Sequence, residues 1–144
     1  MKYLILIFCL FMSLNLTAKD KKVIFTDKAP KPIGPYSQAI KVGGTIYLSG
    51  QIALDTATGK IAEGGAPKEA EIIMNNLKNV LEAAGCTFEN VVKTTIYLTD
   101  IKDFSAVNKV YSSYFSADFP ARETIQVTAL PMGAHVEISV IAVK

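Results

Sequence analysis

"VVKTTIYLTDIKDFSAVNKVY", residues 91–111, changes its period once, and that change decides the fold. The first half is rich in β-branched residues and predicts a strand from Val91 to about Asp100. The second half sets Phe104, Val107, Val110 and Tyr111 at three- and four-residue spacing, and Tyr114 and Phe115 extend the stripe. That predicts an amphipathic helix with Asp103 as its cap. Phe119-Pro120 ends the unit.

The same alternation of element types continues on both sides. Upstream, a helix is expected from near Pro67, with Ala70, Ile73, Leu77, Val80, Leu81 and Ala84 on one face and Gly85 as its stop. Before it, Val23–Phe25 reads as a short strand, and "AIKVGGTIYLSGQIAL" reads as a hairpin turning at Gly43-Gly44. Between these, "DKAPKPIGPYSQ" is a Pro- and Gly-rich loop, and "DTATGKIAEGGA" is a turn-rich connection. Downstream, strands are expected over about Thr124–Leu130 and Val136–Val143, joined by a turn at Pro131-Met132-Gly133.

The element order β-β-β-α-β-α-β-β predicts a two-layer α+β sandwich: one mixed sheet with two helices on one face. The second sheet face then lacks cover. Its candidates include Ile125 with Val127, Ile138 with Val140, or the opposite set Ile141 with Val143. Apolar residues on both faces predict that copies of the chain associate.

Residues 1–18, "MKYLILIFCLFMSLNLTA", have a basic start, an apolar middle and a small residue at Ala18. That is the layout of a cleavable export signal, and its apolar run is short for a membrane span. Cleavage would leave 126 residues, enough for one domain, with 14 basic and 13 acidic side chains and a net charge of +1. Such a balance is not suited to holding a polyanion, so nucleic acid is not an expected partner. Cys86 would be the one remaining cysteine, which excludes an intramolecular disulfide and reads as a small apolar filler.

The inventory of chemical groups is sparse. His135 and Cys86 are far apart, no cluster has metal-ligand spacing, and no Gly-rich loop matches a phosphate-binding pattern. His135 reads as a solvated turn histidine. Arg122, in "FPARETIQVTALP", follows a rigid Pro120 and an uncrowded Ala121. It reads either as a surface arginine paired with Glu123 or Asp118, or as a two-pronged grip for a small carboxylate. Glu137 interrupts an apolar strand. It is either an outward polar residue or a carboxylate facing an interface, where activating water is one use for it.

"PIGPYSQAI", "IYLSGQI", "NLKNVLEAAG", "VVKTTIYLTDIKDFSAVNKVY", "FPAR" and "VEISVIAV" occur in the order found in the RidA (YjgF) family, which the chain resembles from about Phe25 to its end. The resemblance implies a chorismate mutase-like fold and a homotrimer with sites between subunits. It also implies hydrolysis, without a cofactor, of reactive 2-imino and enamino acids such as 2-aminoacrylate and 2-iminopropanoate. The products are 2-keto acids and ammonia. By the same resemblance, Arg122 binds the substrate carboxylate with help from the Thr124 backbone, and Glu137 orients the attacking water. Tyr36, Ser49 and Gly50 line the cleft, and Asn108 matches a recurrent asparagine of the second helix. Ser139 stands where many relatives carry a second acid. Two other readings are a non-catalytic trimer that binds small carboxylates or client proteins, and the ribonuclease activity ascribed to some relatives.

Overall fold

Six strands form one sheet in the order β1-β2-β3-β8-β6-β7. These are β1 (Lys21–Ile24), β2 (Ala39–Val42), β3 (Thr45–Leu48), β6 (Val91–Leu98), β7 (Ala121–Gln126) and β8 (Val136–Val143). A two-stranded ribbon, β4 (Leu54–Asp55) with β5 (Lys60–Ile61), stands apart from it. Among the described residues only β6 and β7 run parallel; every other pairing is antiparallel, so the sheet is mixed. The computed structural model describes residues 20–56 and 58–144. The expected export signal, residues 1–18, lies outside the described residues. Among those described, no helix is long and apolar enough to cross a membrane.

Both helices pack on one face, as the change of period predicts. Helix α1 (Gly65–Ala83) buries Ala70, Ile73, Leu77, Val80 and Leu81 completely, and Gly85 ends it at φ 72°. It begins two residues before Pro67, because Gly64 and Gly65 adopt φ 121° and 73° and reverse the chain there. Pro67 is tolerated in the first turn, where its missing N–H has no helical acceptor. Helix α2 (Phe104–Ser112) buries Val107 and Tyr111. Phe104 does not join them and stays exposed.

Asp103 is not a capping side chain. It is already helical at φ −74°, ψ −9°, because the 3-10 turn Ile101–Asp103 runs straight into α2. Asp100, which is extended, takes the role and accepts from the Lys102 N–H at 2.9 Å. The strand expected over Thr124–Leu130 is also displaced: β7 begins at Ala121, paired to Lys93, and ends at Gln126. Strand β8 has the expected bounds. Cys86 is buried filler among the apolar residues of the core.

The alternation along β8 settles which face is which. Val136, Ile138, Val140 and Ala142 are buried beneath the helices. Glu137, Ser139, Ile141 and Val143 point the other way, with Tyr97 opposite Glu137 and Tyr47 opposite Ile141. Ile125, registered on Tyr97, lies on the same side. Among the described residues no helix covers this face, and Tyr47, Ile125 and Val143 are each about half exposed.

Candidate active site

Arg122 sits on the helix side of β7, registered on the fully buried Thr94. Helix α2 shapes its surroundings. Asn108 Oδ1 accepts from Arg122 Nη1 at 2.8 Å, and the guanidinium lies 4.9 Å from the Tyr111 ring and 5.8 Å from that of Phe104. Stacking on aromatic faces holds the charge without neutralising it. Tyr111 is fixed in turn by its hydroxyl, which bonds Thr94 Oγ1 at 3.1 Å; burial pushes that hydroxyl's pKa up. Among the described residues no carboxylate pairs with Arg122, and Asn108 takes one of its five donors. Arg122 borders a cleft of about 350 Å³ whose other walls are Asn108, Tyr111, Ser112, Phe119 and Pro120. This arrangement favours an anion from solution over a surface ion pair.

β7 is the edge strand, which adds a second group of donors. Val127 N–H bonds Leu98 O at 2.8 Å, so odd-numbered residues of this strand face β6. Strand alternation turns the N–H groups of Arg122, Thr124 and Gln126 to the free edge. Thr124 does not line this cleft, and its buried hydroxyl has no hydrogen-bond partner among the described residues. Its backbone N–H is nonetheless available beside the arginine.

Glu137 occupies a different cleft, of about 290 Å³, lined by Ile33, Tyr36, Ser49, Gly50, Ile52 and Pro131. The bridge between Gln51 and Ile138 draws this segment against β8, with N–H···O bonds of 2.9 and 3.1 Å. A Cβ on Gly50 would lie 1.9 Å from Glu137 Oε1, so the carboxylate fills the space a side chain would take. Glu137 has no hydrogen-bond partner among the described residues, and burial raises its pKa. A half-buried carboxylate without a protein partner is suited to bind and polarise water.

The wall opposite is tied down by Gln38, which the sequence reading passed over. Its buried amide accepts from Thr26 N–H at 2.7 Å and donates to Thr26 O and Pro30 O at 3.0 and 2.9 Å. That fixes the Pro-rich loop that presents Ile33 and Tyr36. The Tyr36 hydroxyl accepts from Ile33 N–H at 3.3 Å, while Ser49 Oγ donates to Ser37 O at 2.7 Å. Ser49 therefore braces the loop with its hydroxyl and meets the cleft with the remainder of the residue.

The structure thus gathers Tyr36, Ser49, Gly50 and Glu137 at one place and Arg122 with Asn108 at another, on opposite faces of the sheet. Two other expectations need correction. Glu123, one of the two acids that could have paired with Arg122, does not: on the open face it pairs with Lys93 and accepts from Thr95 Oγ1 at 2.7 Å, which hold its pKa below the usual range. His135 is no simple solvated turn residue: its Nδ1 meets Glu69 Oε1 at 2.5 Å, and that bond raises its pKa. Glu69 is fully buried on α1 and went unnoticed, since its partner is 66 residues away.

Fold and clefts together define an α+β protein built to bind small molecules, with a free cation for an anionic group and a separate poised carboxylate. A family profile described as Endoribonuclease L-PSP matches residues 26–144, and the chain belongs to that family, the RidA family its sequence blocks resemble. A mouse protein named 2-iminobutanoate/2-iminopropanoate deaminase is 53% identical over 124 residues, which is 86% of this chain and 92% of the mouse one. The structure of RidA from an Antarctic Psychrobacter matches with a TM-score of 0.81 at 45% identity, covering 85% of this chain and 99% of that one. Escherichia coli TdcF, crystallised with bound serine, matches with a TM-score of 0.81 at 36% identity, covering 85% and 98%.

Proposed function

We propose that this protein hydrolyses reactive 2-imino and enamino acids of the 2-iminopropanoate type to 2-keto acids and ammonia, at sites completed by a second copy of the chain. The observation that carries this reading is the unpartnered Glu137 carboxylate seated against the Cβ-less Gly50. A near-neutral charge and clefts of small-molecule size favour this chemistry over binding of RNA. The relatives named as imine deaminases support the substrate class.

Arg122 holds the substrate carboxylate through two parallel hydrogen bonds, with the Thr124 N–H beside it. Glu137 accepts a proton from water as the oxygen bonds to the imine carbon, and the C=N π electrons move to nitrogen. The resulting carbinolamine breaks its C–N bond. Nitrogen takes back the proton held by Glu137 and leaves as ammonia with the C–N bonding pair, while the hydroxyl oxygen gives up its proton to the carboxylate and forms the carbonyl. Tyr36 and Ile33 wall the cleft. Because Arg122 and Glu137 occupy opposite faces of one sheet, a neighbouring copy docked on the open face has to bring the two together. A homotrimer provides that arrangement with head-to-tail contacts.

The test generates 2-aminoacrylate in situ and follows 2-keto acid release by the purified protein. Turnover that Arg122→Ala removes supports the reading. Ligand binding with no turnover by the wild type points instead to a carboxylate-binding module.

We propose further that residues 1–18 direct export, on their basic, apolar and small-residue layout. Fractionation of tagged native protein tests this: recovery with cytoplasmic markers and an intact N-terminus rejects it.

A further inference from the structure

We infer that Glu69 is a positioning residue for Glu137, holding the start of β8 so that the neighbouring carboxylate stands at the cleft. The inference rests on the role given to Glu137 above. Its ground is a buried carboxylate in a place that packing alone would give to an apolar side chain. Glu69 lies in the apolar stripe of α1 among Ala66, Ala70 and Ile73, and it is completely enclosed. A carboxylate there is costly unless its oxygens are satisfied. They are satisfied by one short segment. Oε2 accepts from the His135 and Val136 backbone N–H groups at 2.8 and 3.2 Å, and Oε1 meets His135 Nδ1.

The next residue is Glu137. One rigid helix therefore grips the two backbone amides that precede the proposed water-orienting group. The same grip anchors the end of the turn Pro131–Gly133, whose Pro131 walls the Glu137 cleft. Within that turn Met132 is held at φ 58°, a left-handed conformation that needs support from its surroundings. His135 O accepts from Thr99 N–H at 3.1 Å, so residue 135 is clamped from α1 on one side and from the end of β6 on the other. An apolar side chain at position 69 would keep the core filled and release the clamp.

The side-chain chemistry predicts an order among variants. Glu69→Gln keeps the reach and an oxygen for both N–H groups, and its NH₂ can donate to a neutral His135 ring. Glu69→Asp keeps the charge but falls short by one methylene, about 1.5 Å. Glu69→Val leaves both amides without an acceptor. His135→Ala removes the ring alone and leaves the backbone grip.

Each variant is assayed for 2-keto acid release, with thermal melting and sedimentation as checks of fold and assembly. Glu69→Val and Glu69→Asp are expected to lose at least tenfold in kcat with KM within threefold, since the Arg122 end is untouched. Glu69→Gln and His135→Ala are expected to stay within threefold of wild type. If Glu69→Val does not fold, Glu69→Asp carries the test. Wild-type kcat in a folded Glu69→Val or Glu69→Asp protein overturns the inference, as does equal loss in Glu69→Gln. Glu137→Gln is assayed alongside. Full activity there overturns the role of Glu137 itself, whereas loss there with full activity in the Glu69 variants overturns only the positioning.

Discussion

Gly50→Ala should inactivate the protein without unfolding it. The φ of Gly50 lies outside the left-handed region, so alanine fits the backbone; what it lacks is room, because its Cβ would stand 1.9 Å from Glu137 Oε1 and 2.8 Å from Cδ. Against an ordinary non-bonded separation of about 3.5 Å, the carboxylate must withdraw by roughly 1.5 Å. Glu137 ends a flexible side chain, so it moves by changing rotamer at a cost of about 0.5–1.5 kcal/mol. Replacing glycine where the backbone allows it gains about 0.4–1 kcal/mol through the unfolded chain. The two nearly cancel, and the melting temperature should stay within a few degrees. Catalysis has no such offset. Misplacing a reacting group by about 1 Å can cost about 10²-fold, so kcat should fall about a hundredfold, or about 2.7 kcal/mol of barrier. The assay is 2-keto acid release from 2-aminoacrylate made in situ, beside a thermal melt of the same sample. Wild-type kcat in Gly50→Ala would refute the placement of Glu137 as the water-orienting group. A loss that tracks a large drop in melting temperature would refute the separation of site from stability.

Burial raises the Glu137 pKa in the folded chain, so folding favours its protonated form. The stability this gives is present below the unfolded pKa and is lost as pH rises through the folded one. Glu137→Gln should therefore melt higher than wild type at pH 7, with the two curves converging in acid, while its activity is abolished. The acid limb of the wild-type kcat profile should lie above the ordinary carboxylate range. Asn108→Asp places a carboxylate at the 2.8 Å contact with Arg122 and should raise KM about tenfold or more by competing with the substrate, read from saturation curves. Arg122→Lys keeps the charge but not the fork, and kcat/KM should fall about 10²-fold. Ile141→Lys, on the uncovered face opposite Tyr47, should yield monomers by sedimentation and lose activity with them; an active assembly of unchanged size would show that this face is not the interface.

Local pattern carried most of the fold into the sequence. The stripe from Ala70 to Ala84 and the alternation from Val136 to Val143 are each a single element's own periodicity, and both elements stand where they were expected, although which set of β8 residues faces the helices was open until the structure showed Ile138 and Val140 buried. Competition between neighbours was harder to see. Asp100 and Asp103 both look like caps, and only the 3-10 turn between them assigns the role. The start of β7 at Ala121 comes from pairing with Lys93, 28 residues earlier, and not from the polar residues Arg122 and Glu123 themselves. The β4–β5 ribbon has two residues per strand, too few for any period to appear.

The site divides in the same way. Arg122 and Glu137 stood out because few other groups were available for chemistry. That they lie on opposite faces follows from strand register, which the sequence does not spell out. Glu69 and Gln38 act through partners distant in the chain or through a loop's carbonyls, so neither has a motif. Glu69 alone left a trace, as an acid inside an apolar stripe.

The central question is whether Arg122 of one copy and Glu137 of another form one site. Arg122→Ala and Glu137→Gln proteins, each inactive alone, are mixed, dissociated and reassembled, and 2-keto acid release is measured. Sites shared between subunits in a head-to-tail trimer should recover about a quarter of wild-type activity from a random equal mixture. No recovery above either variant alone, in a mixture shown to exchange subunits, would contradict the shared site.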